Sequence, residues 1–147
     1  MASTLTASTM TVTLTESINL NGTNQGSSNS LSIASIAEVS KRIVTCPTSE
    51  ITLVSFAAAA SAGTFIDADV RYVRITNLDD TNFVSLNIEG EGSTDFTIRL
   101  DASASIMFVG SLVDYADISA YVLENLSAIK TVADTANCDL EIFVASA

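Results

Sequence analysis

The sequence predicts an all-β fold, an antiparallel β-sandwich of jelly-roll-like or immunoglobulin-like type with about eight or nine strands. Three observations carry that expectation. Apolar residues recur at every second position over much of the 147-residue chain, which is the period of a strand rather than a helix. Clusters of Gly, Asn, Asp and Ser separate these runs, as turns require. No segment holds a long 3.6-residue period, so the crossover helices that a parallel sheet needs are missing. A chain of this length buries roughly 68–70% of its unfolded surface, and residues 1–147 are expected to form one domain, with residues 1–8 as an N-terminal arm.

Taken in order, Thr9 to Leu20 places Met10, Val12, Leu14, Ile18 and Leu20 on one face, and Thr9, Thr11, Thr13, Thr15, Ser17 and Asn19 on the other. Glu16 interrupts the apolar row. A lone carboxylate there implies a bulge, a strand end or a subunit contact. Asn21-Gly22 begins a polar loop running to Asn29, with residues that tolerate positive φ. Leu31 and Ile33 resume a strand, and Arg42 to Cys46 form another, ended by Pro47, which cannot donate to a ladder. Ile51 to Phe56 reads as a strand, Ala57 to Ala62 as an extended connection and Gly63 to Asp69 as a loop.

Arg71 to Gly90, RYVRITNLDDTNFVSLNIEG, reads as a hairpin around the turn formers Asp79-Asp80-Thr81-Asn82. If Leu78 faces Phe83, Ile75 faces Leu86 and Val73 faces Ile88, while Thr76 meets Ser85 and Arg74 meets Asn87. Each of these pairs then matches in polarity. After a turn at Glu89 to Gly92, the runs Phe96 to Leu100 and Ile106 to Val109 form a second hairpin, with Leu100 opposite Ile106 and Ile98 opposite Phe108. Ser111 to Asn125 is read as a short helix from the spacing of Ile118, Tyr121, Val122 and Asn125, with a long loop as the alternative. Leu126 to Val132 and Cys138 to Ala145 close the chain as strands.

Chemistry is thinly represented. The chain has no histidine, which removes the usual general base near neutral pH and the commonest transition-metal ligand. Asp79, Asp80, Asp95, Asp101, Glu89 and Glu91 cluster in the middle third, but each sits in or beside a turn, where carboxylates are ordinarily solvated. The spaced Asp pattern of a calcium loop is missing, and Glu89-Gly90-Glu91-Gly92 lacks the basic residue of a phosphate cradle. Cys46 and Cys138 match no zinc spacing; buried hydrophobe is the plain reading and a bridge between them the alternative. No catalytic residue, metal or cofactor is expected, and an enzyme is the least favoured class. Arg71, Tyr72 and Arg74 place basic and aromatic character on one strand, the composition of an interface; the competing reading is an ordinary ion pair between Arg74 and Glu89.

Seventeen acidic against six basic residues give a net charge of −11, which opposes binding to nucleic acid. The first basic residue is Lys41, so an export signal is not expected. The longest unbroken apolar run, Phe56 to Ala60, is far short of the roughly 20 residues that span a bilayer, and no membrane partner is expected.

The opening MASTLTASTMTVTLTESINLNG, the segment RYVRITNLDDTNFVSLNIEG, the following DFTIRLDASASIMFVGS and the ending TVADTANCDLEIFVASA together resemble small all-β virion structural proteins of tailed bacteriophages. The resemblance implies a virion protein assembled in the host cytoplasm. Within that class it points to a capsid decoration or cement protein that binds and stabilises the major capsid protein shell as a homo-oligomer, a trimer favoured. A tail, neck or fibre component is the second reading. A carbohydrate-binding β-sandwich module would need exposed aromatics, and with no Trp and three Tyr that platform is thin.

Overall fold

A computed structural model describes residues 5–90, 92, 95–109, 114–117 and 122–147, with the backbone alone at 114–117 and 122–125. The strands are β1 (Ser8–Thr15), β2 (Asn19–Leu20), β3 (Thr23–Asn24), β4 (Ser28–Ile36), β5 (Glu38–Cys46), β6 (Ile51–Ala57) and β7 (Thr64–Ile66). They continue as β8 (Val70–Asn77), β9 (Val84–Gly90), β10 (Asp95–Leu100), β11 (Ser105–Val109), β12 (Asp114–Asp117), β13 (Val122–Ala133) and β14 (Cys138–Ser146). A 3-10 turn over Asp67–Asp69 lies between β7 and β8, and no α-helix occurs among the described residues. The fold is all-β and almost wholly antiparallel.

Two sheets share one core. The first runs β10-β9-β13-β6-β7, with β12 added beside β13; the second runs β11-β8-β14-β5. Leu86, Ile88 and Ile129 from the first meet Val73, Ile75, Leu140 and Ile142 from the second in a single cluster, each nearly inaccessible to solvent. A β-sandwich results, its inner faces supplied by the alternate apolar positions of each strand. The guanidinium of Arg42 on β5 also donates to the carbonyl of Leu53 on β6, tying one edge of the sandwich across the layers.

The hairpin readings are corrected. β8 and β9 are not paired: β8 lies between β11 and β14, and β9 between β10 and β13. The chain from Leu78 to Phe83 is an arch that crosses from one sheet to the other, and the step from β10 to β11 is a second arch crossing back. β8 therefore pairs with β11, Ile75 opposite Ile106 and Val73 opposite Phe108, while β9 pairs with β10, Ile98 opposite Leu86. Val73, Ile75, Leu86 and Ile88 do point inward. Their matched polarity holds equally for strands side by side and for strands facing each other across a core, so it could not tell a hairpin from an arch.

Local side chains build the arches. Asn77, fully buried at the end of β8, donates through Nδ2 to the carbonyls of Asn82 at 2.9 Å and Asp101 at 3.2 Å, so one amide holds both crossings. Asp79 Oδ1 accepts from the backbone N–H groups of Thr81 at 2.8 Å and Asn82 at 2.6 Å, the local bonding that makes Asp a turn former. Those two bonds hold the Asp79 carboxyl below its ordinary pKa.

Other readings need adjustment too. Gly63 to Asp69 is not only loop: Thr64–Ile66 forms β7, which lies parallel to β6, with Phe65 opposite Phe56. A short return through Ala58 to Gly63 suffices for this edge pair without a helix. The helical reading of Ser111 to Asn125 fails where the structure describes it, since Asp114–Asp117 pairs antiparallel with the start of β13, Asp114 opposite Asn125. Ile118 and Tyr121 lie outside the described residues. Four residues at helical spacing are too few to outweigh strand pairing.

Candidate assembly surface

The polar loop expected after Asn21-Gly22 is instead half of a long ribbon. Asn21 and Gly22 have φ of 51° and 81°, the positive values that a two-residue turn of the type favouring Asn-Gly demands. From that turn one register runs without a slip. Leu20 opposes Thr23 and Asn19 opposes Asn24, Gln25 N–H donates to Ile18 and Glu16 N–H to Ser27, and Thr15 to Met10 pair with Ser28 to Ile33. Of the readings of Glu16, the strand end is the one found: β1 stops at Thr15, with no bulge there, and the bond from Glu16 N–H to the Ser27 carbonyl carries the register on toward the turn. Gly26 lies against Glu16: a Cβ there would come within 2.2 Å of the Glu16 carbonyl oxygen.

The ribbon's two faces differ in kind. On one, Thr13 and Ser30 share a hydroxyl hydrogen bond of 2.9 Å and Thr15 and Ser28 one of 3.0 Å. The other carries Met10, Val12, Leu14, Glu16, Ile18 and Leu20 on the outgoing strand; Ile33 and Leu31 oppose the first two, and Asn29, Ser27, Gln25 and Thr23 oppose the rest, so toward the tip the apolar row belongs to the outgoing strand alone. Its root is packed: Ile33, Ile36, Tyr72 and Ala145 form a second, small cluster, with Met10, Val12 and Phe143 against it. A bulge makes this fit. Ser35 sits at φ 63° where the pairing shifts between Ser8 and Met10, so Ile33 and Ile36, three residues apart, are both buried.

Beyond the root the apolar row is bare. Leu14, Ile18, Leu20 and Leu31 are 47%, 49%, 55% and 46% exposed, and every residue from Thr13 to Ser32 is open to solvent except half-buried Gly26. Because both faces are open, the ribbon projects from the sandwich. A groove of about 190 Å³ lies under its near end, lined by Val12, Leu14, Leu31, Tyr72, Met107 and Val109. Glu16 is the sole charged side chain between Leu5 and Ala37, and its Oε2 accepts from Ser27 Oγ at 2.8 Å.

The residues singled out for an interface are only partly brought together. Tyr72 is 5% exposed, its ring edge-on to Phe143 with centroids 5.7 Å apart. It is a floor for the ribbon root rather than a free aromatic. Arg74 also borders the space under the ribbon, but its partner is not Glu89. The guanidinium donates to Glu141 Oε1 at 2.5 Å on the neighbouring strand β14, and Lys41 Nζ reaches the other oxygen of that carboxylate at 3.0 Å. These two cations hold Glu141 below its ordinary pKa. Glu89 is in the other sheet and pairs with Lys130 at 2.8 Å, which raises the Lys130 pKa. Arg71 is turned onto backbone, donating to the Ala68 carbonyl at 2.7 Å.

Comparison with protein-family models, with curated proteins and with solved structures found no match.

Chemical sites are sparse as well. Among the described residues no group of three or more His, Cys, Asp or Glu is placed to hold a metal ion. Cys46 and Cys138 stand opposite each other on β5 and β14, both buried and free, and burial pushes both thiols up. Asp95 and Glu50 border a shallow polar hollow with Lys130, Asn87 and Thr97 on the outer face of the first sheet. Lys130 there lies 3.7 Å from Glu50, so its charge is already matched. For the expected arm, Met1–Thr4 lies outside the described residues, and Leu5, 78% exposed, precedes the first strand. Sequence reasoning placed Leu31 and Ile33 on a strand, as they are in β4, but read the return from Thr23 to Asn29 as loop, although Asn-Gly, the strongest short hairpin signal, was present.

Proposed function

We propose that this protein is a structural component of a tailed-bacteriophage virion, a capsid decoration or cement protein that binds the major capsid protein shell. The virion class rests on the resemblance of its opening, middle and closing segments to such proteins. The observation that favours a structural role is the projecting ribbon, which leaves Leu14, Ile18, Leu20 and Leu31 about half exposed on one face. Exposed apolar side chains grouped on one face mark an interaction site in a folded protein. The described residues offer hydroxyl-lined strands and paired charges, which suit adhesion to a protein lattice better than turnover of a substrate.

Mass spectrometry of purified particles of the phage encoding the chain tests this reading. A copy number comparable with that of the major capsid protein supports decoration. A few copies per particle point instead to a tail, neck or fibre component. Absence from particles overturns the virion assignment.

A further inference from the structure

We infer that the ribbon formed by β1 to β4 docks by its apolar face onto a second copy of this chain. The inference does not need the virion reading. It begins with what the ribbon lacks. Exposed sheet edges in proteins that stay apart are guarded by Lys, Pro or other charged residues. Edge strand β5 carries Glu38, Lys41 and Arg42, and edge strand β10 carries Asp95 and Arg99, while the uncharged edges β7 and β11 are only three and five residues long. The ribbon has two open edges, since β1 and β4 pair only with each other among the described residues. Between Leu5 and Ala37 it has no proline, no cation and one acid.

Charge then selects the occupant. The chain carries −11 overall, yet sixteen of its seventeen acidic residues lie after Ala37. Two copies repel each other over most of their surface, and the ribbon, with Glu16 as its single charge, is where they meet at least cost. A nucleic acid or an anionic membrane surface would find no opposite charge on it, and a basic protein only Glu16. A neighbour's ribbon finds a matching surface: a row of leucine and isoleucine on one face, unguarded backbone at both edges.

Area decides how the copies meet. Beyond the packed root, Leu14 to Leu20 spans roughly 24 Å at about 3.4 Å per residue, and two strands about 4.8 Å apart give a face on the order of 10 Å wide. Two such faces laid together remove roughly 500 Å² from water, less than the roughly 1,200 Å² where stable specific interfaces begin. A single contact is too small. The groove beneath the ribbon supplies the second: it is apolar, it lies beside Met107 and Val109 on edge strand β11, and it suits the Ile18 and Leu20 side chains of a neighbour. Each chain gives a ribbon and receives one, in a closed symmetric assembly that leaves no ribbon bare.

Sedimentation velocity on the purified full chain tests this without any particle. Wild-type protein should associate reversibly in the micromolar range. The double variant Ile18→Thr, Leu20→Thr keeps strand-forming residues and alters only exposed positions. It should keep its β-sheet circular dichroism and need at least tenfold higher concentration to associate. The double variant Val39→Thr, Ile43→Thr on the exposed face of β5 should associate like wild type. A monomeric wild type across that range overturns the inference, and so does association lost in the β5 pair but unchanged in the ribbon pair.

Discussion

The sandwich and the ribbon are built from the same alternation, yet one is finished and the other is not. In the sandwich, Ile75 on β8 and Leu86 on β9 find each other's sheet and lose all contact with water. In the ribbon, Leu14 and Ile18 alternate just as regularly and remain about half exposed. Periodicity determines which side chains share a face, while a second layer determines whether that face becomes a core. A two-stranded ribbon without such a layer is marginal in water. Its small stability here is borrowed from the root, where Ile33 and Ile36 rest on Tyr72, Phe143 and Ala145.

The largest expected effects separate the two regions most sharply. Ile75→Ala or Leu86→Ala should cost about 2–5 kcal/mol in denaturant unfolding, because each leaves a cavity in a sealed core. Leu14→Ala, at a half-exposed position, should change the unfolding free energy of the dilute chain by no more than about 0.5 kcal/mol. Comparable losses at both would break the contrast. Next comes Asn77→Ala, which removes the buried amide that bonds part-buried carbonyls in both arches and should cost about 1–3 kcal/mol; no loss would mean that the arches hold without that amide.

Smaller effects sharpen the comparison. Gly26→Ala pushes a methyl against the Glu16 carbonyl, and should speed hydrogen exchange at Glu16 and Ser27 without moving the sandwich's unfolding midpoint. Acid should act on the sandwich. The Glu141 pKa is depressed in the fold by Lys41 and Arg74, so its contribution is complete above the ordinary glutamate pKa and lost as pH falls through the lower folded value. Glu141→Gln should flatten the pH dependence of stability in that acid window and leave it unchanged near neutrality. Lys130 has the opposite sign: its pKa is raised, chiefly by the hydrogen bond to Glu89, so its contribution persists below the ordinary lysine pKa and fades only as pH rises through the folded one.

What was legible in the sequence follows the same division. The inward faces of β8, β9, β13 and β14 were readable because alternation records burial directly. Partnership was not. Val73 opposite Ile88 looked like a hairpin pair, but Val73 pairs with Phe108 and Val144, and Ile88 with Phe96 and Ile129. Two strands that face one core carry the same pattern whether they are neighbours or opposites. The first part of the ribbon's return, before Leu31, escaped for a different reason. From Thr23 to Ser30 every side chain is polar or absent, so no apolar period marks it, and only its backbone pairing with β1 and β2 makes it a strand. Tyr72 and Arg74 were noticed for their composition, but the ribbon root that covers Tyr72 and the Glu141 that holds Arg74 come from segments more than sixty residues away or near the chain's start.

Hydrogen exchange on the purified chain at two widely separated concentrations tests most directly whether the ribbon is completed by another copy. Amides of β8, β9, β13 and β14 should be protected equally at both, since their partners lie within the chain. Amides from Met10 to Ile33 should exchange fast in the dilute sample and gain at least tenfold protection in the concentrated one. Ribbon amides that exchange at the same rate at both concentrations would contradict the account.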